Sequence, residues 1–147
     1  MNMKKYSVKD DIPAVVSEPI INFGFDTPTS ISAAREGVTF RFLLDISNQM
    51  SLSLAELSEV LHVSLRTLQR YVPSKKLDTD ASAKALQLAA IFKLGVAVFG
   101  SEKATTTWLN SPVAALGGLS PKTFFDTPFG FTLLEEELNR IQHGVFS

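Results

Sequence analysis

The feature that most constrains this chain is the stretch of residues 54–71, which predicts two short helices joined by a tight corner. Its apolar side chains recur at spacings that place them on the inner faces of both helices and in the corner: Leu57, Leu61, Val63, Leu68 and Tyr71. Ser64 stands where the second helix needs an N-cap. His62 occupies the corner, where a positive φ is usual and glycine is common, and histidine is one of the residue types that tolerate it.

Two helices meeting at such a corner form a helix-turn-helix, whose second helix can enter the major groove of DNA. The outward positions on and after this helix are the candidate DNA-binding residues: Ser64, Leu65, Arg66, Thr67, Gln69, Arg70, Lys75 and Lys76. Arginine can donate two hydrogen bonds to guanine and glutamine can pair with adenine, while serine and further basic residues hold phosphates.

The positive charge of the chain is local. Residues 60–77 contain four basic residues and no acidic one, although the formal net charge is −1. A small basic face is enough to neutralise phosphates and release counterions. Any amphipathic helix pair with solvated arginines gives a similar pattern, so the residues favour DNA binding without excluding a plain surface.

The composition is that of a soluble globular protein. The 147 residues are 45% hydrophobic and 20% charged, which leaves room for one or two small domains. The absence of cysteine excludes disulfides and thiolate metal sites and fits a cytoplasmic location. No signal peptide is expected. The longest apolar stretch, residues 85–99, is shorter than the about 20 residues that a bilayer requires, so it predicts a buried helix and no membrane contact.

The first domain predicted is residues 1–36, an irregular arm with room for one short strand. It contains three prolines, and no hydrophobic period holds for long. Such an arm can pack on a second subunit or remain mobile, and the sequence leaves both open.

Residues 37–77 form the predicted DNA-binding domain. Apolar residues recur every fourth position in a helix that precedes the motif: Val38, Phe42, Ile46 and Met50. Further apolar residues beside this stripe predict burial on two sides, by the rest of the bundle or by a partner chain. Ser53 and Glu56 have the spacing of a capping box at the start of the first motif helix, and Pro73 is expected to stop the second.

Residues 78–147 form the predicted second domain, and the whole fold is expected to be all-α. A long helix is predicted from about Thr79 to Phe99, closed by Gly100. Three short helices should follow at about 102–109, 112–116 and 121–125, because serine or serine-proline pairs precede them. A last helix carries an apolar stripe: Phe131, Leu134, Leu138, Ile141 and Val145. Residues 126–147 hold four acids and one base, so this end is a poor DNA surface.

Particular residues of this half resemble the C-terminal toxin-binding domain of the Xre/ParS/MbcA-type antitoxins. Their order and spacing match: Phe99-Gly100, Trp108-Leu109, Pro112, Ala115-Leu116-Gly117-Gly118, Pro121, Arg140-Ile141 and His143-Gly144-Val145-Phe146-Ser147. The motif half, with Val63-Ser64 and Arg66-Thr67-Leu68-Gln69-Arg70, is similar to the Xre-like domain of the same family. The resemblance implies an Xre-like helix-turn-helix domain followed by a C-terminal helical toxin-binding domain.

The resemblance also implies a function. A member of this family is an antitoxin that neutralises a RES-domain toxin by covering the toxin's active site. The toxin degrades NAD or uses it for ADP-ribosylation. The antitoxin also binds the promoter of its own operon. Carried onto this sequence, the blocking segment and its support are Trp108, Gly117, Gly118, Arg140, His143, Gly144, Val145, Phe146 and Ser147. For Trp108, ordinary core packing is an equal alternative.

The expected partners are the cognate RES-domain toxin, operator DNA and a second copy of the chain, since one motif reads only a half-site. No enzyme activity, cofactor or metal is expected, because the only two histidines, His62 and His143, lie in different halves and no catalytic group recurs near them. The alternative function is a stand-alone helix-turn-helix transcriptional regulator whose second domain dimerises or binds a ligand.

Overall fold

Helices account for the regular structure of residues 27–144, the part of the chain that the computed structural model describes. We number the α-helices in chain order: α1 Thr27–Glu36, α2 Phe40–Gln49, α3 Leu54–Leu61, α4 Leu65–Gln69, α5 Thr79–Phe99, α6 Glu102–Leu109 and α7 Pro128–Gln142. Two 3₁₀ turns, Ala114–Leu116 and Pro121–Phe124, lie between α6 and α7. Within residues 27–144 no strand is formed, and two isolated β-bridges are the only extended pairings. The all-α prediction is therefore confirmed.

The helix α5 is the centre around which the others pack. It contacts α1, α2, α3, α6 and α7. By length and hydropathy it is the one helix within the described range that could cross a membrane. Its buried residues, however, lie along much of its length: Ser82, Ala85, Leu86, Leu88, Ala89, Ile91, Phe92 and Gly95. We conclude that α5 is the core helix that the sequence predicted, with the predicted bounds.

The irregular arm predicted for residues 1–36 is wrong for residues 27–36, which form α1. Ala33 and Ala34 are buried where this helix packs on α5. Because small side chains carry little hydrophobic signal, the period of this helix is weak in sequence, although such residues let helices approach closely. Gly37 has a φ of 94°, and its N–H donates to the Ala33 carbonyl oxygen at 2.9 Å, which ends the helix. Residues 1–26 lie outside the described residues.

The helix α2 is held at its start by the segment that follows the motif. The Thr39 side chain caps it by accepting from the Phe42 N–H at 3.2 Å. The N–H groups of Phe40 and Arg41 donate to the carbonyl oxygens of Lys75 and Pro73 at 2.8 and 2.9 Å. Phe42, Leu43 and Ile46 are buried. The rest of the bundle thus covers α2. The sequence had left open whether the bundle or a partner chain would bury its wide apolar surface.

Three local predictions need correction. The helix α4 ends at Gln69 with Arg70 as its C-cap, so Pro73 does not stop it. Tyr71 lies beyond the helix and packs edge-on against Phe40, with the two ring centroids 5.3 Å apart. The helices predicted at 112–116 and 121–125 are the shorter 3₁₀ turns, and neither has a side-chain cap. The Ser111 hydroxyl donates backwards to the Thr107 carbonyl oxygen, which takes it away from a capping role.

Close packing fixes the start of α7. The Thr127 side chain caps the helix by accepting from the Gly130 N–H at 3.1 Å, and Pro128 takes the first helical position. A Cβ atom at Gly130 would overlap the Phe124 carbonyl oxygen, so this position requires glycine. Phe125 and Phe131 stack with their ring centroids 5.2 Å apart. The orientation of α7 is thereby set by backbone contact with the preceding turn.

Candidate functional site

The helix-turn-helix corner forms as predicted. Ser53 and Glu56 make both hydrogen bonds of a capping box at the start of α3. His62 ends α3 with a φ of 58°, the left-handed conformation expected of the corner. The inner faces of α3 and α4 meet through Leu57, Leu61 and Leu68, all buried. These contacts fix the angle between the two helices.

Four of the candidate DNA-binding residues of α4 and its C-cap line one exposed surface. The Ser64 hydroxyl oxygen accepts from the Thr67 N–H at 3.0 Å and so caps the helix, as expected. Leu65, Arg66, Gln69 and Arg70 line one surface depression. All of these side chains are exposed. The helix therefore offers two guanidinium groups and an amide in the arrangement that a DNA groove can accept.

The two candidate lysines follow α4 in sequence and contact other parts of the fold. The Lys75 ammonium lies 4.9 Å from the centroid of the Tyr71 ring, a cation–π contact. The Lys76 ammonium donates to the Glu36 carbonyl oxygen at 3.3 Å. Both residues remain exposed. These contacts position the lysine charges without removing them from solvent, which suits binding to phosphates rather than to bases.

The residues predicted to support toxin binding lie on two elements. Trp108, on α6, is half-buried, and its ring centroid lies 5.4 Å from that of Phe99. Core packing accounts for part of this side chain. Gly117 and Gly118 have φ angles of 73° and 81°, and they are exposed in a loop closed by a hydrogen bond from the Val113 N–H to the Leu119 carbonyl oxygen at 3.1 Å. A Cβ atom would meet nothing within 4 Å at either glycine, so backbone conformation alone explains them.

The predicted blocking segment begins at the end of α7. Arg140 is half-buried and pairs with Glu137 one turn earlier. His143 is the C-cap, and its Nδ1 lies 2.8 Å from the Asn139 carbonyl oxygen. Gly144 has a φ of 68°, a left-handed conformation that favours glycine. Val145, Phe146 and Ser147 lie outside the described residues, so the structure assigns them no place.

Three long-range contacts join residues 37–77 to the second half of the chain. Lys122 forms an ion pair with Glu56 at 2.6 Å. The Nε2 of His62 lies 2.8 Å from the Asp126 carbonyl oxygen. The Thr106 hydroxyl donates to the Gln49 carbonyl oxygen at 3.1 Å. None of these pairs was predicted, because the partners are far apart in sequence and no local pattern marks them.

The Glu56–Lys122 ion pair makes stability depend on pH. Burial alone raises the pKa of Glu56, but the hydrogen bond and charge of Lys122 and the hydrogen bonds from Ser53 outweigh it, so the pKa lies below its usual 4.5. A carboxyl group whose pKa is lower in the folded than in the unfolded state stabilises the fold at pH values above the unfolded-state pKa. That stabilisation is lost as the pH falls through the folded-state pKa. We expect Glu56→Gln to lower the free energy of unfolding by about 0.5 kcal/mol at neutral pH and not at all in acid.

Urea unfolding of both proteins between about pH 3 and pH 7 measures this difference. Glu59→Gln is the matched control, because Glu59 is exposed on the same helix. Glutamine keeps the capping-box hydrogen bond, so only the ion pair is removed. A difference that stays constant over this pH range would show that the ion pair does not stabilise the fold.

Comparison with known proteins assigns both halves of the chain. The family model of the antitoxin Xre-like helix-turn-helix domain matches residues 30–90. That of the antitoxin Xre/MbcA/ParS C-terminal toxin-binding domain matches residues 94–144. The chain therefore belongs to the Xre/MbcA/ParS antitoxins, as its resemblance indicated. The first match ends at residue 90 and the second begins at residue 94, so both boundaries lie inside α5, the helix that both halves share.

Curated relatives agree with this assignment. Antitoxin Xre of Pseudomonas putida is 29% identical over 135 residues, 91% of this chain and 78% of that protein. Antitoxin Xre of Yersinia enterocolitica is 24% identical, covering 76% of this chain and 80% of its own length. Antitoxin Xre of Photorhabdus laumondii is 23% identical, with 76% and 77% covered.

A solved structure shares the fold. One chain in the crystal structure of the M. tuberculosis MbcT–MbcA toxin–antitoxin complex matches with a TM-score of 0.51 and 16% identity. The match covers 72% of this chain and 95% of that chain. At this identity the likeness establishes the fold alone.

Within residues 27–144 no cluster of three or more histidine, aspartate or glutamate side chains is suited to hold a metal ion.

Proposed function

We propose that this chain is the antitoxin of a type II toxin–antitoxin system, which neutralises a RES-domain, NAD-consuming toxin and represses its own operon. The observation that carries the proposal is the union in one chain of an exposed, basic helix-turn-helix face with a family toxin-binding domain that ends in α7. The matched M. tuberculosis fold comes from a toxin–antitoxin complex, which supports a toxin partner here.

Neutralisation occurs by occlusion of the toxin's active site. The end of α7 presents Arg140, His143 and the positive-φ Gly144, and Val145, Phe146 and Ser147 follow in sequence. A guanidinium, an imidazole and an aromatic ring are the groups that a cleft for a dinucleotide can accept. Filling such a cleft requires no catalysis by the antitoxin, so this chain acts as a binding protein in the cytoplasm rather than as an enzyme.

Operator binding uses the face of α4. One such motif reads a half-site, so we propose that a homodimer places two copies across a two-fold operator.

The test is co-expression of this chain with the protein encoded beside it. We expect the two to purify as one complex, and we expect cellular NAD to collapse when the neighbour is expressed alone and to be preserved when both are present. An operator fragment should bind the complex or the free antitoxin. If no complex forms and NAD is unaffected, the chain is a stand-alone regulator and the proposal is wrong.

A further inference from the structure

The first turn of α7 exposes a large aromatic side chain. Phe129 is 85% exposed, the highest value among the large hydrophobic residues within 27–144, and Leu133, one turn later, is 39% exposed. Phe131, between them, is only 5% exposed and lies in the core. An exposed pair of large apolar residues on one helix is an unusual feature of a protein surface, and such features often mark binding sites.

The fold holds this aromatic residue rigidly in solvent. Phe129 lies between Pro128, at the first helical position, and Gly130, whose backbone packs against Phe124. The Thr127 cap and the Phe125–Phe131 stack fix the same turn. Phe129 is therefore exposed on a well-ordered helix start. Because its backbone is already fixed before a partner binds, binding loses less conformational entropy, which favours association.

Helical geometry connects this pair to the predicted blocking segment. Residues that recur three and four positions apart share one helical face, and this face of α7 carries Phe129, Leu133, Glu136, Arg140 and His143. The core residues Phe131, Leu134 and Leu138 point elsewhere. At a rise of about 1.5 Å per residue, this exposed face extends roughly 21 Å from Phe129 to His143, the C-cap.

We infer that Phe129 and Leu133 are an apolar anchor by which α7 docks on the toxin, beside the active site that the C-terminal segment covers. The inference rests on the proposed function and extends it to a surface that family resemblance did not indicate. The occupant is the toxin because both residues lie within the family toxin-binding domain and on the face that continues to Arg140. Its surface should offer an apolar pocket for one aromatic ring.

Charge gives further detail about the partner. Glu136 is exposed on this same face and Glu135 is exposed next to it, so a phosphate backbone would be repelled there, whereas basic groups around the toxin's pocket would be attracted. A buried aromatic anchor with a charged rim is the usual anatomy of a protein interface. DNA is therefore the less suitable occupant of this face.

The experiment measures the dissociation constant of purified toxin with the full-length antitoxin and with Phe129→Ala, Leu133→Ala and the double variant. We expect the Phe129 change to weaken binding by roughly 30-fold or more, as for a central aromatic anchor, and the Leu133 change by less. Because both side chains are exposed, the melting temperatures should stay near that of the unmodified chain. Ile31→Ala, which truncates a 43% exposed residue on α1, is the matched control and should bind normally.

Several results would overturn the inference. Toxin affinity within about threefold of the unmodified chain for the double variant would show that α7 docks elsewhere. A change confined to operator affinity, or to the oligomeric state measured by sedimentation, would assign the pair to DNA or to a second copy of this chain. If the unmodified chain itself does not bind the toxin, the proposed function fails and the inference fails with it, whereas normal binding by unmodified and variant chains removes the inference alone.

Discussion

A chain that ends at Asn139 should lose toxin neutralisation while keeping its fold. This truncation removes the end of α7 and the predicted blocking segment: Arg140, His143, Gly144, Val145, Phe146 and Ser147. If two or three of these are interface anchors worth at least about 2 kcal/mol each, affinity should fall by roughly a thousandfold. NAD content in cells expressing the toxin with either chain measures the effect, and we expect NAD to collapse only with the truncated chain.

The fold should survive because the buried residues of α7 precede the cut. Phe131, Leu134 and Leu138 remain, and Ile141, which is removed with the last turn of α7, is only half-buried. Thermal unfolding of the truncated chain checks this directly. A chain that ends at Gly144 is the graded control, since it keeps the whole of α7. If NAD is preserved equally by all three chains, inhibition lies elsewhere, and the region from Trp108 to Gly118 becomes the place to examine.

Local signals in the sequence predicted the helix-turn-helix except for the end of α4. The bounds of α5 and α6, the Ser53–Glu56 capping box and the left-handed His62 were all predicted, because caps and hydrophobic periods are properties of neighbouring residues. The helix α1 was missed because its packing surface is built from alanines, although Pro28 near its start and Gly37 after its end were available as boundary signals.

The contacts between the two halves could not be predicted in the same way. Glu56 and Lys122, or His62 and Asp126, are brought together only by the packing of α3, α5 and α7, and a single sequence carries no record of such pairs. The exposure of Phe129 is of the same kind. Periodicity placed Phe131 in the core correctly, but it gave no reason for an aromatic residue outside the apolar stripe.

These contacts also suggest how one surface can influence the other. Lys122 and Asp126 lie in the turn and loop before α7, inside the toxin-binding domain, whereas Glu56 lies in the first turn of α3 and His62 is its C-cap. A toxin that shifts this region would therefore act on both ends of α3.

Replacing Arg66 and Arg70 with alanine should remove most operator binding without affecting the toxin. Both arginines are exposed on α4, and they line the same depression as Gln69. Each lost base contact should cost about 1 to 3 kcal/mol, so the double variant should bind roughly 30-fold more weakly or worse. If one of them contacts a phosphate instead, the slope of log affinity against log salt should fall by about 1.

The matched control is Lys84→Ala with Lys103→Ala, which removes the same charge from α5 and α6, away from the motif. Titration of a labelled promoter fragment at several salt concentrations compares the variants, and co-purification with the toxin checks that the second domain is intact. The control should lose little affinity, since only charges near the DNA release counterions. Equal losses of operator affinity in both double variants would mean that DNA binding depends on net charge alone. Unchanged affinity and salt dependence in the arginine variant would place the DNA-reading surface away from α4.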